Sequence, residues 1–204
     1  HGLLDLSSAE SGHVNLEYAP MPLRDSLENL AAFIVPQARA KGLEVVCGVD
    51  PLLPDSVMGD HLRLRQIILN LTGNALKFTD RGYIGLFARL RSHAGETIVV
   101  RFVVEDSGRG IPADKRDLIF GAFKQTRSED RARGAGLGLS ISKRLIGAMG
   151  GVFGLESQEG AGTAMWFDLP FQVLQPSSLS GTLSGRRILL AEDLPSAVEA
   201  LSYA

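Results

Sequence analysis

The stretch from Asp60 to Phe78 combines an apolar stripe with a polar edge, and it constrains the fold more than any other part of the chain. At about 100° per residue, its apolar side chains fall within one arc, which predicts a helix packed on a core. The arc consists of Leu64, Ile67, Leu71, Ala75 and Phe78. Asp60 stands where a helix N-cap is expected.

A narrow polar arc lies beside this stripe. It contains Asn70, Asn74 and Lys77, with Arg63 nearer the start of the helix. An amide oxygen is a hard ligand for magnesium, and a lysine offers a point charge to a phosphate oxygen, so the arc suits a phosphate-and-magnesium site. A solvated helix face is the alternative. Asparagine is a poor helix former, however, and two on one face need a compensating reason.

A first glycine segment, VVEDSGRGIP, covers residues 103–112. It places Asp106 at the end of a predicted strand, with Gly108 and Gly110 following. Glycines let the backbone pass close to a flat ligand. A carboxylate in an apolar pocket can accept a hydrogen bond from an exocyclic amine such as that of adenine. The alternative is a tight turn in which Asp106 caps a helix.

A second glycine segment, RGAGLGLSISKRL, covers residues 133–145. Gly134, Gly136 and Gly138 lead directly into a predicted helix, so free backbone N–H groups would point toward an anion. The segment lacks the GK[ST] of a P-loop, and its GxGxG spacing is not the dinucleotide fingerprint. A glycine-rich linker is the alternative to phosphate binding, but linkers do not run straight into an amphipathic helix.

Residues 119–133, between the glycine segments, are aromatic at first and basic afterwards. Phe120 and Phe123 have helical spacing, which is typical of core packing. The basic part contains Lys124, Arg127, Arg131 and Arg133. It is compatible with a basic lid over a polyphosphate and with a surface loop.

Local patterns in the rest of the chain predict alternating helices and strands. We expect a helix over 23–36, with continuation to Gly42 left open, a strand over 43–49, a hairpin of 83–91 with 97–105, a short helix over 114–123, a helix over 137–149, and a hairpin of 152–157 with 164–171. This order predicts an α/β (α+β) two-layer sandwich, with helices packed on one face of a mixed β-sheet.

The composition limits the classes of function. Hydrophobic residues make up 45% of the 204 residues and charged residues 22%, which is typical of a soluble globular protein. A net charge of −2 gives no whole-chain electrostatic case for nucleic acid or for an anionic membrane. Cys47 is the single cysteine, so an internal disulfide is excluded, and we expect a reducing, cytoplasmic location. No apolar run approaches the roughly 20 residues that span a bilayer, so we expect no membrane contact by this chain.

Four blocks stand in a fixed order along the chain: NLTGNALKFT at 70–79, DSGRGIP at 106–112, IFGAFKQ at 119–125 and RGAGLGLSI at 133–141. This order resembles the N, G1, F and G2 boxes of the histidine-kinase ATP-binding domain, which belongs to a superfamily shared with gyrase, the heat-shock chaperone and mismatch-repair ATPases. The resemblance covers about residues 17–174. It implies the Bergerat-type ATP-binding fold, with ATP and Mg²⁺ as cofactors.

The resemblance also implies roles for individual residues. Asn74 would be the magnesium ligand, with Asn70 in or next to that site, and Lys77 would hold a phosphate. Asp106 would bind the adenine amine in a pocket shaped by Gly108 and Gly110, and Thr163 would help near the base. Gly134, Gly136 and Gly138 would wrap the triphosphate, and Lys124 and Leu137 would belong to the same cofactor-binding set. Ala135 departs from the pattern, because a glycine is common there, and we expect a slightly stiffer lid hinge.

The flanking residues extend the resemblance. Residues 1–16 are similar to the tail of a dimerisation helix and its linker, 175–185 form a linker, and 186–204 resemble the start of a receiver domain. Leu194 and Ala197 replace asparagines that often follow the receiver's acidic pair. The chain begins at His1 rather than at Met and ends soon after a new strand-like run. We therefore expect a piece of a hybrid kinase.

The implied reaction transfers the γ-phosphoryl of ATP to a histidine. None of the 4 histidines stands in a helical His-Glu/Asp-Arg context. We therefore expect the phosphoacceptor to precede residue 1, the receiver's acceptor aspartate to follow Ala204, and no catalytic residue to lie within this chain.

The expected partners are a dimerisation domain of the same protein and a receiver domain or response regulator. The full protein would be a homodimer and this chain a monomer. The alternative is a nucleotide-sensing or scaffolding module without phosphotransfer.

Overall fold

The computed structural model describes residues 14–116 and 138–174. Within these ranges the chain forms β1 (Ala19–Pro22), α1 (Leu23–Ala40), β2 (Glu44–Val49), β3 (Ser56–Gly59), α2 (His61–Phe78), β4 (Tyr83–Ala94), β5 (Thr97–Asp106), α3 (Gly138–Ala148), β6 (Val152–Gln158) and β7 (Gly162–Val173). A single 3-10 turn at Ala113–Lys115 is the described beginning of the helix predicted over 114–123. The remainder of that prediction lies outside the described residues.

The strands form one seven-stranded mixed sheet. Its order is β1-β3-β7-β5-β4-β2, and β6 also pairs with β7. β2 and β4 are parallel, because the chain crosses back through α2 before β4 begins at the same end of the sheet as β2. The other strand pairs are antiparallel. β7 connects more strands than any other strand of the sheet, because it pairs with β3, β5 and β6.

All three helices pack on one face of the sheet. Alternate side chains of β5, including Val100, Phe102 and Val104, point into the main core together with the apolar stripes of the helices. The ring of Phe102 stacks on that of Phe167 at 4.9 Å between centroids. The predicted two-layer sandwich, with helices on one face of a mixed sheet, is confirmed.

The opposite face of the sheet has its own small apolar cluster of Val46, Phe87 and Val103. Arg101 lies over this region with its guanidinium carbon 3.8 Å from the centroid of the Trp166 ring. The guanidinium carbon of Arg89 lies 5.3 Å from the centroid of the Phe87 ring, so two arginines pack on aromatic rings of this face. The Arg101 guanidinium is also paired with the Asp168 carboxylate, 2.7 Å from Nε to Oδ1.

Helix α1 continues through Pro36 to Ala40, which settles the boundary left open by the sequence. Pro36 has no N–H group, so it cannot donate to the carbonyl oxygen of Ala32, four residues earlier in the helix. Ala32 is exposed, and its carbonyl group can bind water instead. Gly42, beyond the end of the helix, adopts φ +71° and donates to the carbonyl oxygen of Arg39 at 2.9 Å.

Two short strands, β1 and β3, were not expected from the sequence. Each has four residues, too few for a clear alternation, and the prolines at Pro20 and Pro22 indicated only the absence of a helix. β1 lies at the edge of the sheet, where a proline that lacks an N–H group is tolerated. Both predicted hairpins are present, with strands longer than expected.

Both ends of α2 are tied to distant parts of the chain. At its start the buried Asp60 carboxylate accepts the N–H of Arg63 and the N–H of Glu17, each at 2.9 Å. At its end the ammonium group of Lys41 donates to the carbonyl oxygen of Leu76 and, at 3.4 Å, to that of Thr79. A cation at a helix C-terminus is also favourable for the helix dipole.

Replacing Asp60 tests how much this anchoring contributes to stability. Asp60→Ala removes the cap and leaves two N–H groups without an acceptor, so we expect a loss of about 2–4 kcal/mol in the free energy of unfolding. Asp60→Asn keeps one oxygen at the cap and should lose about 1 kcal/mol or less. Urea unfolding measures both. Equal losses in the two variants would contradict the capping role.

Candidate functional site

Three polar side chains form one row across the sheet. Asp106 on β5 stands opposite Thr163 on β7, which in turn stands opposite Ser157 on β6. All three point toward the helix side, because they continue the alternation of the core residues. The preceding row on the same face is apolar and consists of Val104, Met165 and Leu155. The polar row thus closes one end of the hydrophobic core.

The Asp106 carboxyl group is partly buried and surrounded by donors. Its Oδ1 accepts the N–H of Gly108 at 2.9 Å, and the N–H of Thr163 lies close enough to favour the charged carboxylate. Burial raises the pKa of Asp106, and the hydrogen bonds only partly oppose this effect. The Thr79 hydroxyl lies close enough to favour the charged carboxylate. Its geometry falls short of a hydrogen bond to any described group, so Thr79 Oγ1 is a buried polar atom without a partner there.

The loop after Asp106 requires its glycines. A Cβ on Gly108 would lie 2.5 Å from the carbonyl oxygen of Phe78 and 2.9 Å from Thr79 Oγ1, so a side chain cannot fit beside the polar row. Gly110 has φ +66°, and a Cβ there would lie 1.9 Å from the carbonyl oxygen of Gln158. The sequence predicted a close approach to a ligand at these positions. The contacts that the structure describes here are to the chain itself, and the approach to a ligand remains a prediction.

This loop is also attached to the β6–β7 hairpin. The N–H of Gly160 donates to the carbonyl oxygen of Arg109 at 2.8 Å. The N–H of Ile111 donates to Ser157 Oγ at 2.8 Å. The glycine loop, the polar row and the end of α2 therefore form one continuous unit, although they lie far apart along the chain.

Asn70 connects the polar edge of α2 to the second glycine segment. Its Nδ2 donates to the carbonyl oxygen of Gly138 at 3.4 Å and to Ser142 Oγ at 3.3 Å. A Cβ on Gly138 would still have ordinary space, 3.6 Å from Asn70 Cγ. The structure thus brings together two residues predicted to belong to the same site. The amide nitrogen of Asn70 is used to join α2 and α3.

Further along the same edge are Asn74 and Lys77, both partly exposed. The Lys77 ammonium lies 4.8 Å from the centroid of the Phe78 ring, and the Arg109 guanidinium carbon lies 4.7 Å from the same centroid. Two cationic groups therefore flank one aromatic ring beside the glycine loop. Arg109 was not singled out by the sequence, although a basic residue between two glycines was a visible signal.

Four residues assigned from the resemblance lie outside the described residues. They are Lys124, Gly134, Gly136 and Leu137. The basic stretch, the tail of the dimerisation helix up to residue 13 and the receiver-like segment lie outside as well. Those assignments and the domain boundaries remain predictions.

Neither of two other site types is found in the described parts of the chain. Between 14 and 116 and between 138 and 174, no group of three or more His, Cys, Asp or Glu side chains is arranged to hold a metal ion. Among the helices of those ranges, none is long and apolar enough to cross a membrane.

The fold and the polar row define a two-layer α/β domain whose site lies between α2 and one end of the sheet. The family model described as histidine kinase-, DNA gyrase B-, and HSP90-like ATPase matches residues 59–173. The chain belongs to this family. The match includes α2, the polar row and both glycine segments, so the family resemblance drawn from the four sequence blocks is confirmed.

The curated relatives include sensory and signal-transduction proteins. Sensory/regulatory protein RpfC of Xanthomonas campestris pv. campestris is 37% identical over 199 residues, which cover 95% of this chain and 27% of RpfC. Signal transduction histidine-protein kinase BarA of Escherichia coli K12 is 35% identical over 196 residues, which cover 93% of this chain and 21% of BarA. The chain therefore spans only about a quarter of the length of these relatives.

Solved structures show the same fold. Full-length ShkA in complex with AMPPNP has a TM-score of 0.69 and 42% sequence identity, covering 78% of this chain and 32% of ShkA. The nucleotide-free catalytic domain of histidine kinase ThkA has a TM-score of 0.60 and 25% identity, covering 76% of this chain and 95% of that domain.

The buried Asp106 carboxyl group predicts a pH-dependent stability. Its pKa is raised in the folded chain, so between the ordinary aspartate pKa and the raised value the folded state binds more protons than the unfolded state. The free energy of unfolding must therefore fall as the pH rises through this interval.

Asp106→Asn removes this titration while keeping one oxygen for Gly108. We expect the Tm difference between the variant and the wild type to shift in favour of the variant as the pH rises from about 3.5 to 7. Thermal unfolding at a series of pH values checks this. A Tm difference that does not change with pH would show that Asp106 is not destabilised by burial.

Proposed function

We propose that the chain binds ATP, with the adenine base at the polar row. The observation that carries this proposal is the Asp106 carboxylate, held by backbone donors at the end of the core beside the unpartnered Thr79 hydroxyl. A carboxylate at the edge of an apolar layer suits a flat heterocycle that carries an amine. The buried Thr79 oxygen supports the fit, because a base or a water molecule bound with it would supply the missing partner.

The polar edge of α2 would hold the phosphates. The glycine loop meets α2 at Phe78, and the second glycine segment meets it at Asn70, roughly 12 Å apart along the helix axis. That separation is comparable to the length of a nucleotide from its base to its last phosphate. Lys77 and Arg109 supply positive charge beside Phe78, at the glycine-loop end of this edge. The start of α3 at Gly138 supplies backbone N–H groups for an anion.

Magnesium would enter with the nucleotide. The Asn74 side chain lies between Asn70 and Lys77 on the polar edge of α2, and its amide oxygen is a neutral metal ligand. Mg²⁺ is commonly held by few protein ligands together with phosphate oxygens and water. The absence of a carboxylate cluster from the described ranges agrees with such a shared site. Once bound, the ion would neutralise phosphate charge.

We further propose that the whole protein is a hybrid histidine kinase. The chain would position the γ-phosphoryl group for attack by a histidine of a dimerisation domain, and a receiver domain would accept the group afterwards. The name of BarA supports signalling by phosphotransfer to histidine, and the sequence similarity to it extends over 93% of this chain. A cytoplasmic location and a homodimer of the whole protein follow from the same proposal.

Asp106→Ala tests the position of the base. The loss of a hydrogen bond to a charged group costs about 1.5–3 kcal/mol, or roughly 10- to 150-fold in affinity. We expect this loss for ADP and ATP alike in isothermal titration calorimetry. Glu44→Ala is the matched control, because Glu44 is an exposed carboxylate on the edge strand β2, away from the polar row, and should leave the affinity unchanged. Unchanged affinity in Asp106→Ala would refute the assignment.

Asn74→Ala tests the metal and the reaction together. We expect a large loss of affinity for magnesium–ATP and little change for metal-free ATP, because only the former uses the amide oxygen. In the full-length protein, acid-labile phosphate on histidine should fall in the same variant. Asn29→Ala, on the exposed side of α1, is the control. Magnesium-dependent binding without any phosphohistidine in the full-length wild type would favour the nucleotide-sensing alternative.

A further inference from the structure

Ser142 is a fully buried residue of α3 whose hydroxyl contacts the polar edge of α2. Its Oγ lies 3.3 Å from Nδ2 of Asn70. The carbonyl oxygen of Gly138, one turn earlier on α3, lies 3.4 Å from the same nitrogen. A hydroxyl in a buried helix face is unfavourable without a hydrogen-bond partner, and Asn70 is a partner that the structure shows.

The chemistry of these two contacts fixes which end of the Asn70 amide faces α3. A carbonyl oxygen can only accept a hydrogen bond, so the end of the amide that faces Gly138 must be the nitrogen, which has two hydrogens to donate. The Ser142 hydroxyl can take the second hydrogen, because a hydroxyl accepts as well as donates. Both donors of the Asn70 side chain are thus directed at α3.

What remains of the Asn70 side chain for a ligand is its oxygen. The nitrogen and the oxygen are the two arms of one planar group, so directing the nitrogen at α3 turns the oxygen away from these contacts. Asn74 follows on the same partly exposed edge, where residues four apart have Cβ atoms about 5–6 Å from each other. The edge of α2 therefore presents a hydrogen-bond acceptor at Asn70, beside the amide of Asn74.

An acceptor at this place distinguishes two forms of a nucleotide. The oxygens of a metal-free triphosphate are themselves acceptors, so they gain nothing from an amide oxygen. A magnesium ion, by contrast, is bound by oxygen ligands and by water molecules that it keeps, and those water molecules donate to amide oxygens. An Asn70 amide turned the other way would favour the metal-free form, because it would direct N–H groups at phosphate oxygens.

We propose that Ser142 is a positioning residue: its hydroxyl holds the Asn70 amide with the nitrogen on α3 and the oxygen on the ligand side, and thereby favours the magnesium complex of a nucleotide over the metal-free form. This inference rests on the proposed binding of ATP at the edge of α2. Ser142 contacts neither the ion nor the phosphates, since its side chain is fully buried. It acts through the orientation of one neighbouring amide group.

The magnesium selectivity of ATP binding measures this orientation. It is the dissociation constant of ATP in EDTA divided by that of ATP in saturating Mg²⁺, both from isothermal titration calorimetry. Ser142→Ala frees one Asn70 N–H, so the amide can turn toward a phosphate oxygen. We expect the selectivity to fall by about 2- to 12-fold, the equivalent of one neutral hydrogen bond. A proportional loss for both forms, with constant selectivity, would mean that Ser142 only supports the fold and would overturn the proposal.

Thr72→Ala is the matched control, because Thr72 is another buried hydroxyl but is bonded within α2, to the carbonyl oxygen of Ile68 at 2.8 Å. It should lower stability and leave the selectivity unchanged, and a fall as large as that in Ser142→Ala would overturn the proposal. In a double-mutant cycle, Asn70→Ala should lower the selectivity by itself, and adding Ser142→Ala should change it no further. A further change would contradict the action through Asn70. If Ser142→Ala does not fold, Ser142→Cys carries the same test, because a thiol is a weak acceptor.

A second readout needs no nucleotide. The side-chain amide hydrogens of Asn70, assigned in NMR spectra by their absence from Asn70→Ala, should exchange with water more slowly in the wild type than in Ser142→Ala. Equal exchange in the two would overturn the proposal. A wild-type chain that binds neither form of ATP would refute the proposed function together with this inference, whereas ATP binding with the same magnesium selectivity in the wild type and in Ser142→Ala would refute this inference alone.

Discussion

The pairing of β5 with β7 is the constraint on which the rest of the structure depends. It places Thr163 opposite Asp106, with the apolar row of core residues directly before them. Side chains alternate along a strand, so a shift of one residue in this register would turn Asp106 out of the helix side and expose the core residues instead. The burial of the core and the geometry of the candidate site are therefore decided by the same hydrogen-bonded ladder.

The candidate site combines the partly buried Asp106 carboxylate, whose charge is destabilised by burial, with a loop that is hydrogen-bonded to the sheet. The raised pKa of Asp106 means that its charged form is disfavoured by burial, and donors from Gly108 and Thr163 offset only part of that effect. A folded chain tolerates such a cost when neighbouring contacts hold the group in place. Here the glycine loop is attached to the sheet at Arg109 and Ile111, so the carboxylate stays directed at the space where we propose the base.

The two faces of helix α2 have different roles in the structure. Its apolar stripe fills the core, while its polar edge meets the first glycine loop at Phe78 and the start of α3 at Asn70. Asp60 and Lys41 anchor its two ends to other elements, which limits movement of the edge relative to the sheet.

Local patterns in the sequence were enough to predict α2 with its Asp60 cap, both hairpins and the face of α2 that carries Asn70, Asn74 and Lys77. Periodicity and capping depend on residues within one or two turns of each other, so they can be read from the chain directly. The order of the glycine segments and of the α2 block also indicated the family, which the comparison confirmed.

Tertiary structure alone decided which distant residues meet. Thr79 and Ser157 carried no signal by themselves, because their contacts depend on the register of three strands and on the path of the glycine loop. The same reason explains β1 and β3, which are too short for local propensity and form because β7 offers a free edge beside them. Periodicity reports how a single segment folds, whereas the 2.9 Å hydrogen bond between the Ser157 and Thr163 hydroxyls exists only after β6 and β7 have paired.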